Sequence, residues 1–430
     1  MLKTLVGAFK NKDIRKKIFY TLMILVIVRV GSLLPIPGVD TEYFSSLLSG
    51  INTGDLSYLS AFTGGSFERM SLFALSITPY ITSSIIMQLL AIAIPKLEEM
   101  QKEGEDGRKK IAAITRYVTI GLALIESIAM AVGFGRSGLI KGYQGFSTLH
   151  YIVSIMVVVA ALTAGSAMLM WLGERITENG VGNGISIVLL INIISGMPSD
   201  FATLYSTFVA PRTIAKGVLA AAIIIAILVV MVVLVCFLQD GERRIPVQYS
   251  QKVSGRKTFG GQSTNIPLKV NTAGVMPVIF ASSLMQFPVI IAQLFGKSYE
   301  WTRYLSSSYW CRVSAPKYSI GLILYVVLLI IFAYFYTSIT FNPIEVADNL
   351  KKAGGVIPGI TPGKSTSDYL NNILNYIVFV GAVGLLIIAL IPIMCTGFFN
   401  ASVSFGGTSV IIIVGVVLET LKQIESQMVN

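Results

Sequence analysis

Two segments of the sequence repeat one pattern: Pro79-Tyr-Ile-Thr-Ser-Ser-Ile-Ile-Met-Gln88 and Pro277-Val-Ile-Phe-Ala-Ser-Ser-Leu-Met-Gln286. Each has a proline, an isoleucine two residues later, a Ser-Ser pair and a final Met-Gln, and a one-residue shift aligns the serine pairs. Both segments lie in long runs without charged residues, Met70–Ile94 and Val270–Gly296. Matched, proline-interrupted apolar segments in two halves of a chain indicate a helical membrane protein with an internal repeat.

The composition supports a membrane protein. Of the 430 residues, 54% are hydrophobic and 13% are charged, and the mean hydropathy is +0.74. Soluble proteins carry roughly 25% charged residues, and a membrane helix needs about 20 apolar residues. Ten spans are predicted: Ile18–Leu34, Met70–Ile94, Tyr117–Gly135, Leu149–Gly173, Gly180–Met197, Gly217–Gln239, Val270–Gly296, Tyr318–Ile344 and two within Tyr369–Leu418, separated by a turn at Cys395–Gly407.

The distribution of basic residues orients these spans. Of the 33 lysines and arginines, 23 fall on the side that holds the N-terminus, 9 fall on the other side, and Arg29 lies within a span. The positive-inside rule therefore predicts that both termini are cytoplasmic, with large cytoplasmic loops at about 240–270 and 340–370. Topology alone explains most of this excess, and the alternative is that the basic loops also dock an acidic partner.

The repeat divides the chain into predicted halves of five spans, residues 1–210 and 211–430. Spans five and ten also correspond, since each follows closely spaced glycines and then becomes aliphatic. In inverted-repeat folds the working site lies at the interface between the repeats, near the middle of the membrane. The alternative is that proline and small residues merely allow close helix packing.

The sequence predicts an unusual lining for this interface, because spans two, five, seven and ten contain no charged residue. An aliphatic constriction offers no ligand to an ion and dewets, so it closes a pore by default. The pattern therefore favours a conduit over an enzyme. His150 is the one histidine, the three cysteines have no motif spacing, and neither a cofactor nor a metal is predicted.

A series of motifs along the chain resembles the SecY family of bacterial Sec protein-translocation channels. In order, they are Pro35-Ile-Pro-Gly38, Pro79–Gln88, Gly182-Asn-Gly-Ile-Ser186, Glu242-Arg-Arg-Ile-Pro246, Pro267-Leu-Lys-Val-Asn271, Phe341-Asn-Pro343, Ala347-Asp-Asn-Leu-Lys-Lys352 and Phe405-Gly-Gly-Thr-Ser409. Each motif is weak alone, but their order and spacing are specific. The resemblance implies an all-α channel of ten transmembrane helices in two pseudo-symmetric inverted halves.

The resemblance also implies a waist formed by six aliphatic side chains and a plug on its outer side. The six ring residues would be Ile81, Ile85, Ile185, Leu189, Ile279 and Ile412. The plug would lie in Asp55–Ser66, where Leu56, Leu59 and Phe62 recur every three residues and Gly64-Gly65 end the helix. Without the resemblance, ordinary helix packing and an ordinary outer loop are the alternatives.

A lateral gate between spans two and seven is implied as the exit for apolar segments into lipid. Its polar cluster would be Thr82, Glu126 and Asn271. For Glu126 the alternative is a protonated carboxyl group that is hydrogen-bonded for packing. The family usually has arginine where this chain has Thr361, which leaves the strength of motor coupling open.

The expected partners follow from the same resemblance. They are SecE-type and SecG-type membrane subunits, the SecA motor ATPase, the ribosome through its RNA, signal peptides, nascent polypeptides and membrane lipids. The docking loops would present Arg243, Arg244, Lys252, Arg256, Lys257, Lys351 and Lys352. The implied function is passage of unfolded secretory polypeptides across the bacterial plasma (inner) membrane. The rival interpretations are an inverted-repeat secondary transporter and a membrane assembly scaffold.

Overall fold

The structure is a computed structural model that describes residues 2–50, 62–249, 252–254, 257–259, 263–294, 299–306, 309–399 and 409–429. Its helices are α1 Leu2–Lys10, α2 Lys12–Leu33, α3 Thr41–Gly50, α4 Thr78–Ala93, α5 Pro95–Lys102, α6 Glu105–Phe134, α7 Thr148–Asn179, α8 Gly184–Leu204, α9 Ile214–Asp240, α10 Met276–Leu294, α11 Glu300–Leu305, α12 Ile320–Thr340, α13 Pro343–Lys352, α14 Lys364–Phe399 and α15 Ser409–Val429. Its strands are β1 Glu242–Tyr249, β2 Lys252–Ser254, β3 Lys257–Phe259, β4 Ser263–Lys269 and β5 Gly355–Val356.

By length and apolar composition, fewer helices qualify as membrane spans than the ten that the sequence predicts. Six helical stretches in the described residues are long and apolar enough to cross a membrane: Glu105–Phe134, Thr148–Asn179, Gly184–Val209, Ile214–Asp240, Pro316–Lys352 and Lys364–Phe399. A seventh would be α4 with α5, which meet at a bend of 102°. The helices α2 and α15 do not meet the criterion because they carry more charged residues than the six, and α10 does not meet it because its apolar stretch is shorter. The predicted count of ten is not confirmed.

Several helices begin where a side chain satisfies the free backbone N–H groups of the first turn. The side-chain oxygens of Asn11, Asn183 and Asn342 each accept a hydrogen bond from the amide two residues later, at 3.0, 3.1 and 3.2 Å. Asparagine is among the strongest N-cap residues. Prolines at the first positions of α4, α5 and α13 add a fixed helical φ where no N–H is needed.

The two repeated segments are helical over only part of their predicted spans. The sequence pattern places Pro79 and Pro277 in the middle of a helix, which is wrong, because both lie in the first turn of α4 and α10. Residues 64–77 and 270–275 before them form turns, with the backbone of Ser76 at φ +52° and that of Gly274 at φ +64°. A proline in a helix interior breaks the backbone hydrogen-bond ladder, whereas one in the first turn does not.

A small sheet, which the sequence interpretation did not include, joins the two large loops that were predicted to be cytoplasmic. In this sheet β1 pairs antiparallel with β4 and with β5, while β2 and β3 form a separate two-stranded sheet. Ile245 and Val247 of β1 are buried, while Arg244 and Gln248 beside them are exposed. This period-two alternation is that of a strand with one buried face. Apolar residues of α13 and α14 cover that face.

We expect Gly165→Ala to destabilise the protein by about 1–3 kcal/mol, the usual cost of overpacking. Gly165 lies in α7, and a methyl group there would collide with the carbonyl oxygen of Leu72. That backbone belongs to the turn before α4 and has little freedom to move, because the Leu72 N–H donates to Leu34 O at 2.9 Å.

The matched control is Gly121→Ala in α6, where a methyl group would meet no atom within 4 Å. Thermal unfolding of the two detergent-purified variants measures the difference. Equal melting temperatures for Gly165→Ala and the unmodified chain would contradict the close approach.

Candidate functional site

One buried apolar cluster occupies the centre of the molecule, and it contains all six predicted ring positions. Ile81, Ile85, Leu189, Ile279 and Ile412 are buried members of the cluster, with exposed fractions between 0 and 4%. Ile185 is partly buried and packs against it. The six side chains come from α4, α8, α10 and α15, so the cluster is built from residues far apart in sequence.

Local backbone structure places the matched isoleucines equivalently in the two halves. The Ile81 N–H donates to Ile77 O at 3.1 Å, and the Ile279 N–H donates to Val275 O at 3.2 Å. Each acceptor is the residue four positions earlier, in the turn that precedes the helix. Both isoleucines are therefore fixed in the first turn of α4 or α10, and those two helices contact each other.

Close approaches at two glycines position the other two ring helices. A methyl group at Gly184, the first residue of α8, would collide with Gly173 O of α7, and one at Gly415 of α15 would collide with Val275. Glycine allows such contacts because it has no Cβ. Ile185 follows Gly184 directly, and Ile412 lies three residues before Gly415. The two contacts therefore hold both isoleucines at the central cluster.

The predicted plug falls largely outside the described residues. Leu56 and Leu59 lie in 51–61, whereas Phe62 is described, 2% exposed, and belongs to the central cluster. Phe62 and Thr63 are helical, and Gly64 and Gly65 follow with φ of +62° and +78°. Left-handed glycines commonly end a helix, so the helical turn at Phe62 and Thr63 ends here, and the plug itself stays a prediction.

Of the predicted gate residues, Thr82 lies on α4, Glu126 lies on α6 and Asn271 lies in the turn before α10, and their side chains do not bond to one another. Thr82 Oγ1 donates to Thr78 O at 3.1 Å, and Asn271 Nδ2 donates to Gly274 O at 3.1 Å. Glu126 is 8% exposed on α6. In the described part of the chain, no hydrogen bond joins these three side chains, and none is made by the Glu126 carboxyl group. The alternative of a hydrogen-bonded packing carboxyl is therefore not supported either.

The predicted docking residues are exposed where the structure describes them. Arg243 and Arg244 lie on β1, and Lys351 and Lys352 end α13. Arg244 Nε lies 2.8 Å from Glu242 Oε1 in a surface ion pair. Arg256 and the side chains of Lys252 and Lys257 lie outside the described residues, although the backbones of the two lysines are paired in the β2–β3 hairpin. The pairing of β1 with β5 joins the two basic loops in one sheet.

Asn192 is a functional candidate that the sequence interpretation missed. It lies on α8, one turn beyond Leu189, and is 2% exposed. Its side chain hydrogen-bonds the segment that precedes α4. A single amide within the apolar run Ile187–Ile194 is the signal that could have identified it, because a buried polar side chain in such a run needs a specific partner.

Comparison with known proteins gives one family over most of the chain. The SecY family model matches residues 71–421. The protein translocase subunit SecY of Streptomyces coelicolor is 44% identical over 439 residues, which cover 100% of this chain and 98% of the relative.

Solved structures extend the likeness to the fold. The chain is similar, with a TM-score of 0.64 and 18% identity, to a SecY protein whose plug domain stabilises the closed state of the translocation channel and maintains a membrane seal. The match covers 96% of this chain and 92% of that one. The Sec61 channel in a canine ribosome–channel complex from the endoplasmic reticulum gives a TM-score of 0.57 at 17% identity, with coverages of 96% and 93%.

The structural likeness confirms the predicted helical channel fold, and the sequence likeness confirms the resemblance on which the site was predicted. The chain belongs to the SecY family.

Proposed function

We propose that this chain forms a protein-conducting channel that passes unfolded polypeptides across a membrane. The observation that carries the proposal is the central cluster, to which α4, α8, α10 and α15 contribute five buried aliphatic ring residues, with Ile185 packed against it. Flexible aliphatic side chains offer no fixed ligand, so they yield to a chain of any sequence and close behind it. Packed together, they exclude water and hence ions.

Sealing depends on the plug segment as well as on the ring. Phe62, at its C-terminal end, is part of the same apolar cluster as the ring. A polypeptide that enters from the cytoplasmic side displaces this segment outwards. A solved relative whose plug stabilises its closed state and maintains a membrane seal supports the assignment.

Lateral release into lipid uses the contact between α4 and α10. These helices touch directly, and both are short and begin at interrupted backbone. Separation of α4 and α10 exposes the cluster to lipid. An apolar segment of the passing chain then lowers its free energy by moving into the bilayer. Thr82, Glu126 and Asn271 are the proposed polar residues along this path.

The docking surface consists of the exposed basic residues of β1 and of the C-terminal end of α13. RNA phosphates bind such residues in a salt-dependent manner, and a ribosome-bound Sec61 channel supports a ribosomal partner. SecA, a SecE-type subunit and a SecG-type subunit are the other proposed partners. We place the channel in the bacterial plasma membrane with both termini in the cytoplasm, on the basis of the 23 basic residues on that side. The family model and the relatives described above do not support the secondary-transporter alternative.

Replacing Ile412 with serine should make the resting channel conduct ions, on the order of tenfold above the unmodified channel, because a hydroxyl group wets the constriction. The change is largest when Ile81 and Ile279 are replaced together with it. Planar-bilayer conductance of the purified complex measures the leak.

Ile424→Ser is the matched control, since Ile424 is an equally buried isoleucine of α15 that belongs to a different apolar cluster. Conductance at the same level in the two variants would exclude Ile412 from the seal.

Replacing both Arg243 and Arg244 with glutamine should weaken ribosome binding and reduce its salt dependence. The slope of log affinity against log salt should fall by about two, because each arginine that neutralises a phosphate accounts for about one. Cosedimentation with ribosomes at a series of salt concentrations gives this slope. The ion pair of Arg244 with Glu242 is exposed, and such pairs contribute little.

Lys141 and Lys216, replaced by glutamine, form the matched control, because both are exposed and lie on the predicted outer side. A slope that falls equally for both pairs, or for neither, would argue against docking through β1.

A further inference from the structure

Asn192 stands on the same face of α8 as two ring residues. It follows Leu189 by three positions and Ile185 by seven, and residues at these spacings lie along one helix face. Its side chain is 2% exposed, and its neighbours in the sequence from Ile187 to Ile194 are all aliphatic. A buried amide is costly unless it is hydrogen-bonded, so its partners indicate why the position is polar.

Both donated hydrogen bonds of Asn192 go to the segment before α4. Nδ2 donates to Phe62 O at 3.1 Å and to Ser76 Oγ at 3.2 Å. Ser76 Oγ in turn donates to Phe62 O at 3.4 Å. Only the amino group of the amide can donate to a carbonyl oxygen, so the acceptor at Phe62 fixes the orientation of the side chain. Residues 14 positions apart are thereby held at one point of α8.

The backbone next to this point is held close to α8 and α2. A methyl group at Gly64 would lie 2.9 Å from Ser195 Oγ and 3.0 Å from Asn192 O, both on α8. Arg29 Nη1 of α2 lies 3.5 Å from Gly64 O. Gly64 also has φ +62°, a conformation that glycine adopts without strain. The C-terminal end of the plug segment is thus docked on the helix that carries Ile185 and Leu189.

Ser76 adds a strained position to the same contact. Its backbone has φ +52°, which is uncommon for a residue with a side chain. Such positions persist only where the surroundings hold them. The bonds of Ser76 Oγ to Asn192 and to Phe62 O supply that constraint, and Ser166 Oγ of α7 lies 3.5 Å from Ser76 O.

We propose that Asn192 is a positioning residue that latches Phe62, at the C-terminal end of the plug segment, and Ser76 to the ring-bearing helix α8, so that this attachment is released when the ring opens. The proposal rests on the proposed channel function and deepens it. A displacement of α8 large enough to separate Leu189 from the ring also pulls Nδ2 away from Phe62 O and Ser76 Oγ. The plug segment is then released in the same movement that widens the waist.

The test uses Asn192→Leu, which keeps the approximate shape of the side chain and removes both donors. In the purified complex we expect resting ion conductance to rise about tenfold, the effect of removing one or two net hydrogen bonds from the closed state. The melting temperature should change little by comparison. Ser186→Ala is the matched control, since Ser186 is a buried polar residue of the same helix.

A double-mutant cycle with Ser76→Ala separates a latch from general loss of packing. If the two residues act as one unit, the double variant leaks no more than Asn192→Leu alone, because contacting residues are not additive. Conductance ratios that simply multiply would overturn the proposal, as would a leak from Asn192→Leu no larger than that from Ser186→Ala. Should Asn192→Leu fail to assemble, Ser76→Ala compared with Ser186→Ala decides in the same way.

Ile412→Ser, measured in parallel, separates the latch from the channel function. A leak from Ile412→Ser without one from Asn192→Leu removes the latch and leaves the channel. No leak from either variant contradicts the sealed waist itself, and with it the latch.

Discussion

The hydrocarbon core of a membrane provides no hydrogen-bond partner for a peptide group, and this constraint governs the whole structure. Helices satisfy it internally, which is why the chain is mostly helical. The turns before α4 and α10 are not helical, and their peptide groups find hydrogen-bond partners elsewhere in the protein. Leu72 N–H donates to Leu34 O at 2.9 Å and Ser71 N–H to Ser66 O at 3.1 Å. Irregular backbone is tolerated at this depth because other segments surround it, and the ring isoleucines Ile81 and Ile279 follow directly after it.

The sequence predicted the helical channel fold, because apolar runs and motifs report burial directly, although the count of ten spans is not confirmed. It did not predict where helices begin within apolar runs. Met70–Ser76 is as apolar as the helix that follows it, and only the backbone torsion of Ser76 and the position of Pro79 reveal the turn. Likewise, Asn192 is inconspicuous in sequence, since its role depends on Phe62 and Ser76, more than 100 positions away. The strands of the basic loops were missed because their many charged residues obscure the alternation around Ile245 and Val247.

Two kinds of interaction meet at the proposed waist, and they differ in how strongly they depend on direction. Apolar contacts within the central cluster, to which Ile81, Leu189 and Ile412 belong, are non-directional, so small displacements of the helices leave them largely intact. The hydrogen bonds of Asn192 are directional and are broken by a small movement. In the proposed channel, apolar contacts let the closed seal tolerate small movements, and the hydrogen bonds of Asn192 set the point of release.

The three-stranded sheet β4-β1-β5 has a mechanical consequence. It connects the chain between α9 and α10 with the chain after α13, and the buried face of β1 packs on α14. A ladder of backbone hydrogen bonds over a shared apolar cluster resists shear. The two loops therefore behave as one rigid unit attached to α9, α10, α13 and α14. If the proposed partners dock on this sheet, a force applied to β1 and β4 acts on α10, which carries Ile279, instead of bending two independent loops.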